Sequence, residues 1–135
     1  MSETFYWPVR VYYEDTDAQG IVYYANYLRF KERARTEWLR SLGIEQDALR
    51  AEENRIFVVV DTVAHFGMPA RFNDELQVGV RLKERARASF LMEQNIYRDS
   101  PDGDLICSGE TRAACLNATT RKPARLPAAM FDIDF

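Results

Sequence analysis

The chain has 135 residues, 47% of them hydrophobic, which suits a single domain (1–135) built on one core. Its 18 basic and 21 acidic residues leave a formal charge of -3, so no global field draws it to a polyanion and nucleic acid is not an expected partner. The first ten residues lack the basic start and apolar block of a secretory leader, and no segment approaches the roughly 20 apolar residues of a membrane helix, so a cytoplasmic protein with no membrane span is expected.

Residues 5–14 are crowded with aromatic and β-branched side chains (Phe5, Tyr6, Trp7, Val9, Val11, Tyr12, Tyr13). That composition predicts a strand, with Pro8 marking an edge or a bend because it lacks the ladder donor. Asp15-Thr16-Asp17-Ala18-Gln19-Gly20 is short, polar and closed by glycine, which is loop chemistry. From about Tyr24 the spacing changes. Tyr27, Lys31 through its stem, Ala34, Trp38 and Leu42, with Phe30 alongside, recur every three to four residues, while Arg29, Glu32, Arg33, Glu37 and Arg40 take the other face. This predicts one long amphipathic helix, ended by Gly43, and a short helical or irregular piece at 47–53.

Beyond it, residues 55–66 contain the unbroken apolar run Ile56-Phe57-Val58-Val59-Val60, which predicts a strand buried on both faces. Leu76, Val78, Val80 and Leu82 alternate with Glu75, Gln77, Arg81 and Lys83, the pattern of a strand with one wet face. Two more strands are expected at 90–98 and 105–118, joined through the turn Asp99-Ser100-Pro101-Asp102-Gly103. The prolines of the segment 122–127 remove ladder donors and predict an irregular tail. The order of one strand, one long helix and four strands implies an α+β fold in which an antiparallel sheet covers the apolar stripe of the helix. Cys107 and Cys115 fall in one expected strand, roughly 25 Å apart, too far for a disulfide; with one histidine in the chain, a Cys/His zinc site has no ligand set.

The densest chemical signal is the run Glu14-Asp15-Thr16-Asp17, which feeds through Gly20 into the helix. Helix starts offer unpaired backbone N–H groups that can polarise a carbonyl, and a nearby carboxylate can attack that carbonyl or activate water. By local pattern alone, solvated loop acids or caps are the favoured reading of Asp15 and Asp17. His65, the only histidine, lies near a strand end, where packing or an interface is its expected role. None of the serines sits in a GxSxG elbow, and there is no glycine-rich phosphate loop.

Tyr12-Tyr13-Glu14-Asp15-Thr16-Asp17, Gly20-Ile21-Val22-Tyr23, Ala25-Asn26-Tyr27 and Glu32-Arg33-Ala34-Arg35-Thr36-Glu37-Trp38-Leu39 closely resemble the 4-hydroxybenzoyl-CoA thioesterase family. Within it the likeness is greatest to the acyl-CoA thioesterases associated with the Tol–Pal system, and it extends through Phe57-Val58-Val59, Pro69-Ala70-Arg71-Phe72 and the segment 121–127. The resemblance implies a hotdog fold, a five-stranded antiparallel sheet wrapped around one long helix. It further implies hydrolysis of acyl-CoA, or of a related acyl-carrier-protein thioester, to free acid and thiol. Asp17 would serve as nucleophile or general base, and the backbone N–H of Tyr24 would polarise the carbonyl. No cofactor is implied beyond the coenzyme A that the substrate carries, and a homo-oligomer, dimer or tetramer, is expected, with active sites between subunits.

For the CoA phosphates the resemblance favours Arg85, Arg87 and Ser89 together with Thr120, Arg121 and Lys122, whose charges and hydroxyls otherwise read as solvated hairpin groups. Many Tol–Pal relatives carry histidine where this chain has Tyr24 and glycine where it has Gln19, so a mechanism needing that histidine is not open to it. A non-catalytic module that docks an acyl carrier protein is the alternative reading. Hydratase chemistry would need a histidine partner for the aspartate, and His65 is poorly placed.

Overall fold

The long helix α1, Asn26–Ser41, is the centre of the molecule in the computed structural model, which describes residues 3–135. Tyr27, Phe30, Ala34, Trp38 and Leu39 line its buried face, as the spacing predicts. Lys31 shares that face. Not only its stem but its amine is enclosed, at 1% exposure, and Nζ donates to the Ser108 carbonyl at 3.4 Å. Burial lowers the Lys31 pKa, because the charged form loses its hydration. Gly43, at a φ of 81°, ends the helix where a left-handed residue is needed.

The sheet that wraps α1 is antiparallel throughout. Its strands are β1 (Phe5–Arg10), β2 (Arg55–Phe66), β3 (Glu75–Arg85), β4 (Ser89–Glu93), β5 (Ile96–Arg98) and β6 (Leu105–Asn117). The order is β1-β3-β4-β6-β2, with β5 continuing the β4 row between β3 and β6. The hotdog arrangement of five rows around one helix is therefore present, with one row in two pieces. The break falls at Gln94, whose fully buried side chain leaves the sheet for the helix: its Nε2 donates to the Lys31 carbonyl at 3.0 Å and its Oε1 accepts from Arg35 at 3.1 Å. A helix α2 (Gln46–Glu53) precedes β2, and the tail ends in a short helix α3 (Ala128–Phe131).

Two further sequence expectations need correction. The first strand stops at Arg10, because Tyr13–Asp15 forms a 3-10 turn whose Asp15 Oδ2 accepts the Tyr12 N–H at 2.8 Å. The segment 122–127 is irregular, as its prolines predict, and beyond it α3 seats Met130 fully in the core. The largest departure is β2, expected to be covered on both faces. It pairs with β6 alone, its other edge is open, and Val59, Val60 and Val63 are 50, 57 and 52% exposed. Both cysteines lie buried and unlinked in β6. No helix among the described residues is long and apolar enough to cross a membrane.

Candidate active site

The segment between β1 and α1 folds back on itself. Asp17 N–H donates to Ile21 O at 3.0 Å, Gly20 N–H to Asp17 O at 3.0 Å, and Tyr23 N–H to Asp15 O at 2.9 Å. Gly20, at a φ of 78°, makes the reversal. The loop is anchored to the rest of the fold by Val22 N–H on Ala70 O at 2.8 Å and by the buried Asn26, whose Nδ2 donates to Asp15 O at 2.9 Å. The two acids of the loop thereby take different jobs. Asp15 is buried and holds the turn; Asp17 is exposed.

The Asp17 carboxylate is fixed by one bond, in which Oδ1 accepts the Gln19 N–H at 2.8 Å. Its Oδ2 has no protein partner among the described residues. On the returning arm of the same loop, Tyr23 N–H and Asn26 N–H are both paired, while the amides of Tyr24 and Ala25 between them donate to no acceptor among the described residues. The helix begins at Asn26, two positions later than Tyr24, so this free amide belongs to the turn that leads into α1. The Tyr24 phenol is exposed, and its ring touches Tyr23 and Phe66 at centroid distances of 5.0 and 5.8 Å. The loop thus carries both an unpaired backbone N–H and a carboxylate oxygen without a protein partner among the described residues.

The residues expected to hold CoA lie elsewhere. Arg87 is exposed and Ser89 half-buried at the β3–β4 hairpin. The exposed Thr120, Arg121 and Lys122 form a turn organised by Asn117, whose Oδ1 accepts the Thr120 N–H at 2.9 Å, with Arg121 at a φ of 63°. The two clusters are neighbours, since Leu126 N–H donates to Arg87 O and Cys115 N–H to Ala88 O. Arg85 is the exception. Its guanidinium turns into the C-terminal segment, donating to Met130 O and Ile133 O at 2.8 and 3.0 Å and lying over the rings of Phe131 and Phe135. The remaining cluster sits at the Arg55 end of β2, which pairs with Asn117, whereas Tyr24 packs on Phe66 at the other end. The 12 residues of β2 separate the two places by about 36 Å.

A cavity of about 190 Å³ opens between α1 and the sheet, walled by Leu39, Phe57, Phe90 and Met92, with Glu32 and Arg35 on its helical side. Arg35 lines this cavity and is not among the candidates named from sequence. The signal was present: it lies four residues after Lys31 and three before Trp38, on the buried stripe rather than the wet face.

Residues 11–132 match the model of the thioesterase-like superfamily. The acyl-CoA thioesterase YbgC of Haemophilus influenzae is 40% identical over 123 residues, covering 91% of this chain and 88% of that one. Among solved structures, a probable thioesterase from Bartonella henselae superposes with a TM-score of 0.85 at 34% identity, covering 93% of this chain and all of its own. A 4-hydroxybenzoyl-CoA thioesterase variant with 4-hydroxybenzoyl-CoA bound shares the fold at a TM-score of 0.86 and 22% identity, with 96% of each chain covered.

Proposed function

The chain belongs to the thioesterase-like superfamily, and on that premise we propose that it hydrolyses acyl-CoA thioesters, with Asp17 as the reacting carboxylate and the Tyr24 amide as the carbonyl's donor. The observation that carries this is that one loop, between β1 and α1, holds Asp17 by Oδ1 alone and also carries the unpaired Tyr24 N–H. The thioester oxygen accepts from Tyr24 N–H, and the bond strengthens as negative charge gathers on that oxygen. Asp17 then acts in one of two roles. As base it takes a proton from water while the water oxygen bonds to the carbonyl carbon; the C–S bond breaks and the thiolate leaves with the proton. As nucleophile its own oxygen forms that bond, the thiolate leaves, and water opens the resulting anhydride. Either way the products are acid and thiol.

An open β2 edge and the distance between catalytic loop and CoA cluster support a second part of the proposal. Two chains pair their β2 edges antiparallel about a two-fold axis. The Phe66 end of one then lies beside the Arg55 end of the other, so the catalytic loop of one subunit meets Arg87, Ser89, Thr120, Arg121 and Lys122 of its partner.

The test is thiol release from a panel of acyl-CoA and acyl-carrier-protein thioesters by wild type and by Asp17→Asn. Turnover by wild type that is lost in the variant supports the reading. Absence of turnover on every thioester, with binding of an acyl carrier protein, would favour a docking module instead. A single turnover in labelled water that places the label in Asp17 identifies it as the nucleophile, because a general base never acquires the label, whereas label in the product acid alone fits either role.

A further inference from the structure

We propose that the cavity beside α1 receives the acyl group of the substrate, and that Arg35 within it selects short acyl groups ending in a carboxylate. The proposal rests on the thioesterase reading above and deepens it by naming a substrate class.

Size and place come first. At about 190 Å³ the cavity is smaller than the roughly 300 Å³ at which pockets for drug-sized ligands begin, so it suits a short chain. It opens at Phe57, Val58 and Val59 of β2, whereas the catalytic loop of the same chain packs on Phe66, about 23 Å further along the strand. Antiparallel pairing of two β2 edges about an axis near the middle of the strand removes most of that distance. It sets Phe57 of one subunit against Ala64 of the other, about 7 Å from Phe66 and hence near the catalytic loop.

Chemistry names the ligand. The lining is mostly apolar, with Glu32, Thr36 and Gln46 as its uncharged or acidic polar members and Arg35 as its cation. Its Nη1 donates to Gln94 Oε1 at 3.1 Å, and the orientation of that amide is dictated by its own Nε2, bound to Lys31 O at 3.0 Å. Gln94 is fully buried, so Arg35 is aimed by the core rather than by solvent. Arg81, Arg98 and Arg112 each have a carboxylate partner, and Arg85 has two carbonyls. Arg35 has no carboxylate within 4.0 Å among the described residues. Burial presses its pKa downward, and Glu32, one turn earlier on the helix, opposes this from a distance. Glu32 is exposed at the rim, where its Oε1 accepts the Thr36 hydroxyl at 3.0 Å. An incoming carboxylate would satisfy the guanidinium by paired N–H donors, while a methyl-ended chain of equal length would desolvate those donors and leave them unmatched.

The experiment compares kcat/KM by thiol release for matched pairs, succinyl- against butyryl-CoA and glutaryl- against pentanoyl-CoA, in wild type, Arg35→Gln and Arg35→Met. The expected result is that wild type favours the carboxylated member about tenfold or more, and that both variants lose this preference mainly through KM. A wild type that favours the uncharged member, or variants that keep the ratio, would overturn the role of Arg35 while leaving the thioesterase reading standing. Hydrolysis of no thioester at all by wild type would overturn both. Should Arg35→Met fail to fold by circular dichroism, Arg35→Gln, which keeps a donor for Gln94, and the wild-type ratio decide.

Discussion

The acids of the catalytic loop show how far a residue's job can be taken from its immediate neighbours. Asp17 stands out as a candidate because its motif is local: the carboxylate, the glycine and the helix start are contiguous in the chain. We expect Asp17→Asn to lower kcat at least about 100-fold with an unchanged melting temperature, because the asparagine oxygen still accepts the Gln19 N–H while the base and nucleophile are gone. Turnover close to wild type would end the assignment. Asp15→Asn should do less harm to rate. Asp15 is buried in a 3-10 turn and bonded to Tyr12 N–H, so its change should appear as a stability loss of about 1 kcal/mol, read from denaturant midpoints. Tyr24→Phe keeps the backbone amide and removes an exposed phenol, and should retain more than about a tenth of kcat. A loss as deep as that of Asp17→Asn would show the phenol taking part. Arg85 was not legible in this way. What holds it are the carbonyls of Met130 and Ile133 in the tail, and no local pattern links positions so far apart in sequence.

At the scale of elements, the alternation in β3 and the stripe on α1 translated directly into buried faces, because periodicity reports which side of an element is dry. The run Ile56-Phe57-Val58-Val59-Val60 did not, since an apolar run cannot say whether its cover comes from the same chain or from another copy. The break between β4 and β5 was hidden for a related reason: it depends on Gln94 finding Lys31 and Arg35 on the helix. The contact between β2 and β6 is close enough to be tested at one residue. A Cβ on Gly109 would lie 1.9 Å from the carbonyl oxygen of Val63, which is backbone and cannot swing aside. Gly109→Ala should therefore force the strands apart and cost about 3 kcal/mol, seen as a melting temperature lower by roughly 10 °C. A change of only a degree or two would mean that the β2–β6 pair yields far more easily than this spacing implies.

For the whole molecule, the decisive observation is that one chain puts the proposed catalytic loop and the proposed CoA cluster at opposite ends of β2. No rotation of a side chain closes a gap of about 36 Å. A two-fold pairing of β2 edges closes it without moving the backbone, and it also covers Val60 and Val63, whose exposure in a lone chain is costly. Light scattering at micromolar concentration should accordingly give a dimer or tetramer. A monomer with full activity would refute the shared site. Subunit mixing gives the sharper test. Asp17→Asn lacks the carboxylate but keeps the CoA cluster, and an Arg87→Ala/Arg121→Ala double variant lacks the cluster but keeps the carboxylate. If each active site draws one part from each subunit, a mixed dimer of these two inactive chains contains one site with both defects and one with neither. With random pairing, half of the dimers are mixed and half of their sites are intact, so co-expressed chains should recover about a quarter of wild-type kcat/KM at low substrate. If the site belonged to one chain, every site in the mixture would carry a defect, and activity would stay at the average of the two parents.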